Sequence, residues 1–598
     1  KVMLPYILVG AHLPHAVGFS LGKKLDASPA VAVAYFGDGA TSRGYFHTAL
    51  NWASIFRAPV IFVCENNQVA ISTPMCRQTV TATFAEKAQA YGMVGERIDG
   101  NDPFAVYGAT QRALNRGRKH GQPTLLEMVT QRMDTHTTAI GVEPKRTAVE
   151  EARMAANDPL VRMQRFLLSE AAQDYFDLPW SEVADASLQA KATEEMLDAA
   201  RTYDGLDTHE GSKIIAMSVA FHRTPRLVTK YAPAATKTHR LSPETISDAT
   251  CCDALNVALY DICQYDDDVV LLGEDVGRIG GVFRTVALPE KWLDRLGLGN
   301  YKGQVLNNYL PLIEVFGDRC IDTPLDEEGI AGVSVGLALA GKRPILEVQF
   351  SGFAYSMMDQ IMTQMGRLPH RSAGNLPMPI VVRLPYGSGF LIEHHREEEV
   401  PAFLNNPGLT IVCPSTTQDF YALLWAAVAS EKTVLFFEPK ILYRDQSLKG
   451  DLKRVMPTCP IETFGLRVAR PGHDVTIATF GSMVHTALHA ARLAEAKQIS
   501  VEVLDIRVLT PLDTDSLMAS VDKTGRLVTV HESSVFGGFG SELVATIASS
   551  DSLASLLSPP LRVGAPPTHH PSAPFWRHYT PLAEDILAAI EQSLTHEF

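Results

Sequence analysis

Short runs rich in β-branched residues recur along this chain with helix-length segments between them, and that spacing restricts its fold more than any other feature. Ala30–Phe36 (AVAVAYF), Pro59–Cys64 (PVIFVC) and Leu125–Val129 (LLEMV) punctuate the first third. Val269–Leu272, Ile345–Val348, Ile380–Arg383 and Leu409–Val412 follow, then Asp474–Gly481, Ser500–Asp505 and Arg526–His531. Strands alternating with helices predict α/β architecture with mostly parallel sheets. A chain of 598 residues is too long for one core, and three α/β domains are expected. A polar, Pro-bearing stretch marks the connection at 216–245, giving domains over 1–215, 246–450 and 451–598. The stretch from Asp451 to Gly465 reads as a further linker. Residues 148–200 read as helical and charged, with Asp158–Pro159 starting a helix. The Pro/His-rich tail from Pro559 to His578 carries Phe575 and Trp576, with Tyr579 just beyond, which suggests that it packs.

Charge excludes some functions. Lys and Arg number 53 against 67 Asp and Glu, a net charge of −14, which disfavours general nucleic-acid binding. No run approaches the ~18–20 uninterrupted apolar residues of a membrane span. The eight cysteines form no CxxC pair and read as reduced residues of a cytoplasmic-type protein. A mitochondrial location stays open, since nothing before Lys1 is given.

Chemistry concentrates first where the strand of Ala30–Phe36 runs into Gly37–Asp38–Gly39. After 26 further residues Asn66–Asn67 ends the next strand. A carboxylate and an amide at the carboxyl ends of neighbouring parallel strands converge on the crevice where α/β sheets bind ligands. Hard oxygen donors suit Mg²⁺, and glycines let backbone N–H groups approach a diphosphate.

That pair resembles the thiamine diphosphate motif, and longer stretches narrow the resemblance. LPHAVG, YFGDGATSRGYFHTALNWAS and ENNQVAIST, within Leu13–Thr73, look like the α subunit of 2-oxo acid dehydrogenase E1 components. LLGEDVGRIGGVF, DTPLDEEGIAG, EVQFSGFAYSMMDQI, PGLTIVCPST, FFEPKILYR and HESSVFGGFGSEL, from Ala249 onward, look like the β subunit. The resemblance implies α-like and β-like halves fused in one chain, with a thiamine diphosphate-binding fold and a transketolase C-terminal-like domain. The connection and a segment at about 288–317 lie outside it.

By this resemblance Asp38 and Asn67 match the Mg²⁺ side-chain ligands, and Val69 matches the position giving a backbone carbonyl. Gly37 and Gly39 flank the diphosphate. Glu327 matches the glutamate that shares a proton with N1′ of the aminopyrimidine, although Asp326 and Glu328 beside it also fit a solvated acidic loop. A partly desolvated carboxyl has a raised pKa suited to that sharing. Phe353, four residues after Gln349, matches the aromatic that stacks on the pyrimidine; a plain core role is the alternative. Glu274 matches an acid near the cofactor. His136 and His395 match the α-side and β-side active-site histidines, poised for proton transfer near neutrality.

This chain also departs from the family. The family's His-Ser-Gln-like stretch is His395–Arg396–Glu397 here, and Ala139–Arg146 (AIGVEPKR) lacks the usual acid pair. The sequence is therefore expected to omit residues of the natural chain before Lys1 and between Met133 and Pro144.

The implied activity is oxidative decarboxylation of a 2-oxo acid and reductive acylation of the lipoyl group of a partner E2 acyltransferase. Branched-chain 2-oxo acids are the first expectation and pyruvate the second. A homodimer with cofactor between α-type and β-type domains is implied. A transketolase-like aldehyde transfer is the alternative.

Overall fold

The computed structural model describes residues 8–133, 136, 147–169, 244–388, 395–457, 459–571 and 575–596. Two compact units divide the chain, Lys1–Ser218 and Val219–Phe598. The expected linker before 244, the gaps looked for before Tyr6 and in the Met133–Pro144 loop, His394 and the Trp576 side chain lie outside the described residues.

The first unit holds a parallel sheet of β1 (Ala32–Gly37), β2 (Val60–Asn66), β3 (Val94–Asp99) and β4 (Thr124–Val129), in the order β1-β2-β4-β3. Ile61, Val63, Leu126 and Met128 pack against Ala109 and Ala113 of helix Pro103–His120. Asp102 caps that helix by accepting from the Phe104 and Ala105 amides, and three basic residues occupy its last turn, where the helix dipole favours them. β3 carries no sequence signal because this edge strand (VGERID) is half polar, with half-buried and exposed residues alternating. A second cap matches the sequence reading: Asp158 accepts from the Leu160 amide at 2.8 Å ahead of helix Pro159–Leu167.

The second unit contains two large sheets. Its first strands are β5 (Val269–Gly273), β6 (Cys320–Asp322), β7 (Arg343–Glu347), β8 (Val381–Tyr386), β9 (Leu409–Val412) and β10 (Thr433–Pro439). There follow β11 (Leu466–Arg470), β12 (Val475–Thr479), β13 (Val501–Ile506), β14 (Val508–Thr510), β15 (Leu527–Ser534) and β16 (Leu561–Ala565). The seven-stranded sheet runs β6-β5-β7-β8-β10-β9-β14, parallel except for β14, and the five-stranded sheet runs β11-β13-β12-β15-β16, parallel except for β11. Helix Cys251–Tyr265 is apolar nearly all round because it is almost wholly buried; it starts on a Thr250–Asp253 capping box.

Register decides what gathers at the site. Gly273 pairs with both Asp322 and Glu347, and Glu347 pairs with Arg383. The loops that leave β5, β6, β7 and β8 therefore open from one edge of the sheet.

Two expectations need correction. The stretch from Asp451 to Gly465 is not a free linker. Leu452 pairs with Ile246 in an antiparallel ribbon, Arg454 bonds Asp261 in both directions of its fork, and Leu452 and Ile461 are fully buried. The segment at 288–317 is packed too: Ala287–Pro289 pairs with Tyr309–Pro311, and Trp292, Leu293 and Leu310 are buried. In the tail, Leu561–Ala565 adds a strand and the Tyr579 ring meets His570 at 4.6 Å, but Phe575 stays 64% exposed. Apolar character showed that the tail could pack, and the strand pairing chose which part does.

Candidate active site

In the first unit β1 ends in Gly37 and the chain turns into a 3-10 segment, Asp38–Ser42, locked by the Thr41 hydroxyl donating to the Asp38 carbonyl at 2.8 Å. The Asp38 side chain is buried. Gln78 donates to its Oδ2 at 3.0 Å. Burial pushes this carboxyl above the usual aspartate range, with Gln78 and the charge of Arg132 pulling the other way.

β2 ends in two amides with different work. Asn66 is fully buried and donates to Glu127 of β4 at 2.7 Å, so it ties neighbouring strands. Asn67 turns the chain by accepting from the Val69 amide at 3.1 Å. The Val69 and Ile71 carbonyls accept from the two arms of Arg132, at 3.3 and 2.8 Å. A Cβ at Gly39 would stand 2.9 Å from that of Ala70, so the Asp38 turn and the Asn67–Ala70 turn lie against each other and only glycine fits.

The Asp38 carboxylate, the Asn67 amide and the Val69 carbonyl each offer an oxygen, the donor type Mg²⁺ takes; here the Asn67 oxygen accepts from the Val69 amide and the Val69 carbonyl from Arg132. Among the described residues, no cluster of three His, Cys, Asp or Glu is placed to hold a metal. His136 is exposed, and its flanking residues lie outside the described residues.

The second unit gathers five of the expected residues at the edge where β5–β8 end. Glu327 is the first residue of helix Glu327–Leu339, and Asp326 caps that helix by accepting from the Gly329 amide at 3.0 Å. A helix N-terminus favours carboxylates, so Glu327 belongs to a built turn and is not a loose loop acid. Glu274, just past β5, is buried with its Oε1 lacking a hydrogen-bond partner. Burial, and then the negative charge of Glu327, push Glu274 up to about 7. Gln349 donates to Asp275 at 3.1 Å. The half-buried Phe353 stands edge-on to Phe350, and the His395 ring packs edge-on against Phe350 at 4.3 Å and Phe353 at 5.5 Å. A buried acid with an unsatisfied oxygen, a second acid on a helix N-terminus and an open aromatic ring suit a flat heteroaromatic base with ring nitrogens.

Beneath this edge, Arg383 lies between two carboxylates, Glu347 at 2.6 Å and Glu438 at 2.7 Å. Thr285 donates to Glu347 at 2.6 Å and Tyr443 donates to Glu438. This core carried no sequence signal, because its members come from separate strands and loops. The same holds for Gln78. Arg132 stands four residues before His136, and only its contacts reveal that it props the Val69 turn.

The family model for the dehydrogenase E1 component matches residues 1–202, that for the transketolase pyrimidine binding domain matches 248–446, and that for the transketolase C-terminal domain matches 465–586. The chain is 38% identical over 344 residues to the pyruvate dehydrogenase E1 component subunit beta of Leifsonia xyli subsp. xyli, covering 57% of this chain and 94% of that protein. It is 36% identical to the 3-methyl-2-oxobutanoate dehydrogenase subunit beta of Mycobacterium tuberculosis (58% and 92% covered). It is 38% identical to the 2-oxoisovalerate dehydrogenase subunit beta of Bacillus subtilis (57% and 97% covered). With an α-like E1 segment ahead of two β-like segments in one polypeptide, the chain belongs to the thiamine diphosphate-dependent E1 components of the 2-oxo acid dehydrogenases.

Proposed function

We propose that the chain decarboxylates a 2-oxo acid and passes the acyl group to the lipoyl group of a partner E2 acyltransferase. Branched-chain 2-oxo acids come first and pyruvate second; the relatives carry names of both kinds. The observation that carries the reading is the buried, partnerless Oε1 of Glu274 beside Glu327 at the end of β5. When bound, thiamine diphosphate supplies the carbon nucleophile and the electron sink for loss of CO₂.

The remaining work falls to this chain's own groups. Gly37 and Gly39 let backbone approach the diphosphate, and Asp38, Asn67 and the Val69 carbonyl hold Mg²⁺. Glu327 holds and shares a proton at N1′ of the aminopyrimidine, while Glu274 keeps that surrounding acidic and poorly hydrated. Phe353 offers a face for the pyrimidine and Gln349 fixes the turn beside it. His136 and His395 move protons at the substrate oxygen and at the dithiolane sulfur. Two copies of the chain make the working enzyme.

The test is CO₂ release and lipoyl-domain acylation with a panel of 2-oxo acids. Lipoyl-dependent turnover highest with the branched members is the expected result. Transfer of a two-carbon unit from a ketose phosphate, with no 2-oxo acid consumed, would sink the reading in favour of a transketolase-like enzyme.

A further inference from the structure

Immediately after His395 comes an unusually acidic stretch, Glu397–Glu399, in which Glu398 and Glu399 are buried. The Glu398 carboxylate reaches the end of β15, a strand more than a hundred residues further along. Its Oε2 accepts from the backbone amides of Glu532 at 2.9 Å and Ser533 at 3.2 Å, and its Oε1 pairs with the Ser533 hydroxyl at 2.8 Å. Ser533 Oγ also lies 3.1 Å from Nδ1 of the buried His531, which extends the network into β15.

The other end of the same loop is tied to the same place. The Ser388 amide donates to Glu532 Oε2 at 2.8 Å, the Ser388 hydroxyl bonds Thr580, and the Gly387 amide donates to the Glu397 carbonyl at 3.1 Å. Gly387 has φ +84°, and a Cβ there would stand 2.9 Å from Glu532 Oε1. Ser388, just past β8, and Glu398, three residues after His395, are thus tied to the same pair, Glu532 and Ser533.

His395 itself makes contact with Phe350 and Phe353, which ride on the loop after β7. Its placement depends on holding two separately supported loops in one register. Through its two oxygens the Glu398 carboxyl engages two amides and a hydroxyl of β15, and so ties the His395 loop to that strand. Removing that carboxylate leaves two buried N–H groups without an acceptor, so the loop must shift to satisfy them.

We propose that Glu398 is a positioning residue for His395: it latches the His395 loop to the end of β15 and so fixes the ring against Phe350 and Phe353. This inference rests on the reading that His395 moves a proton in acyl transfer. Displacement of a proton-transfer group by about 1 Å costs on the order of 10²-fold in rate.

The experiment is a double-mutant cycle in the full-length holoenzyme, using Glu398→Ala, His395→Ala and the pair. Glu398→Gln and Ser533→Ala serve as milder variants that keep most of the buried volume. Reductive acylation of a lipoyl domain is read as kcat and KM separately, with thiamine diphosphate affinity by calorimetry alongside. The expected result is a kcat loss on the order of 10²-fold for Glu398→Ala, with KM and cofactor affinity held. Partial rescue in Glu398→Gln, a smaller loss in Ser533→Ala, and no added loss when Glu398→Ala enters the His395→Ala background are expected too. Should Glu398→Ala fail to fold, the cycle is run with Glu398→Gln, whose loss must likewise vanish without His395. Losses that multiply in the double variant, or a full rate in the Glu398 variants while His395→Ala is slow, would overturn the latch alone. A full rate in His395→Ala would overturn the His395 role, and the latch with it.

Discussion

Glu274 and Glu327 stand close enough that the charge of one raises the proton affinity of the other, and Glu274 is buried with one oxygen left without a partner. Burial together with a neighbouring negative charge favours the protonated form of Glu274, which holds its proton up toward neutrality. The pair arises because β5 and β6 are in register, Gly273 beside Asp322, so the turn after each strand opens on the same side.

Replacing Glu327 by Gln removes the like charge from beside Glu274. The Glu274 pKa, about 7 in the native protein, is expected to fall, as followed by pH titration of the carboxyl carbon resonance. Cofactor binding should survive in calorimetry, while hydrogen–deuterium exchange at C2 of the bound cofactor slows by roughly 10²–10⁴-fold. Exchange at the native rate would refute the Glu327 role.

Asp38→Ala should abolish Mg²⁺-dependent binding of thiamine diphosphate. Gln78→Ala is the sharper probe, because Gln78 donates to Oδ2 of Asp38 and orients that carboxylate. Groups that orient a ligand carry about 10–100-fold of metal affinity, and a Mg²⁺ titration in the presence of cofactor reads that loss. An unchanged Mg²⁺ requirement in Gln78→Ala would show that Asp38 needs no such partner.

Stability should fall as pH rises through neutrality. Burial pushes Glu398 up to about 8 and Glu399 up to about 7, from 4.5. A carboxyl whose folded value lies above its unfolded one contributes stability that is complete below about 4.5 and is lost as pH climbs through the folded value. Apparent thermal midpoints should therefore drop between about pH 4.5 and about pH 8, and Glu399→Gln should flatten the drop by removing one of these titrations. A native-like slope in Glu399→Gln would contradict this.

Arg383→Met is expected to cost about 3–5 kcal/mol, because it leaves Glu347 and Glu438 buried without a counter-charge. Changing all three residues to apolar ones of similar size should restore much of that loss. Denaturant midpoints of the second unit measure both. A single variant as stable as the parent would mean that the two carboxyls are held neutral.

Much of this protein was legible in the order of its residues. The period of β-rich runs and helices set the α/β class, the turns at strand ends pointed to Asp38 and Asn67, and the family resemblance pointed to Glu274 and Glu327, because each such motif is contiguous and its chemistry is local. Asp158–Pro159 foretold a helix start for the same reason: a cap needs only its own next three residues. The sequence could not show which far segments close on which. Gln78 meets Asp38 across 40 positions, and Glu398 meets Ser533 across 135. Arg383 takes its two carboxylates from the strands on either side of its own. Hydrogen bonds of that kind depend on sheet order and register, which are settled by the burial of whole strands together and leave no mark at the individual polar residue. Hence the sequence alone could nominate acids and histidines for the site, while tertiary structure alone decided what holds Asp38, Glu274, Glu327 and His395 in place.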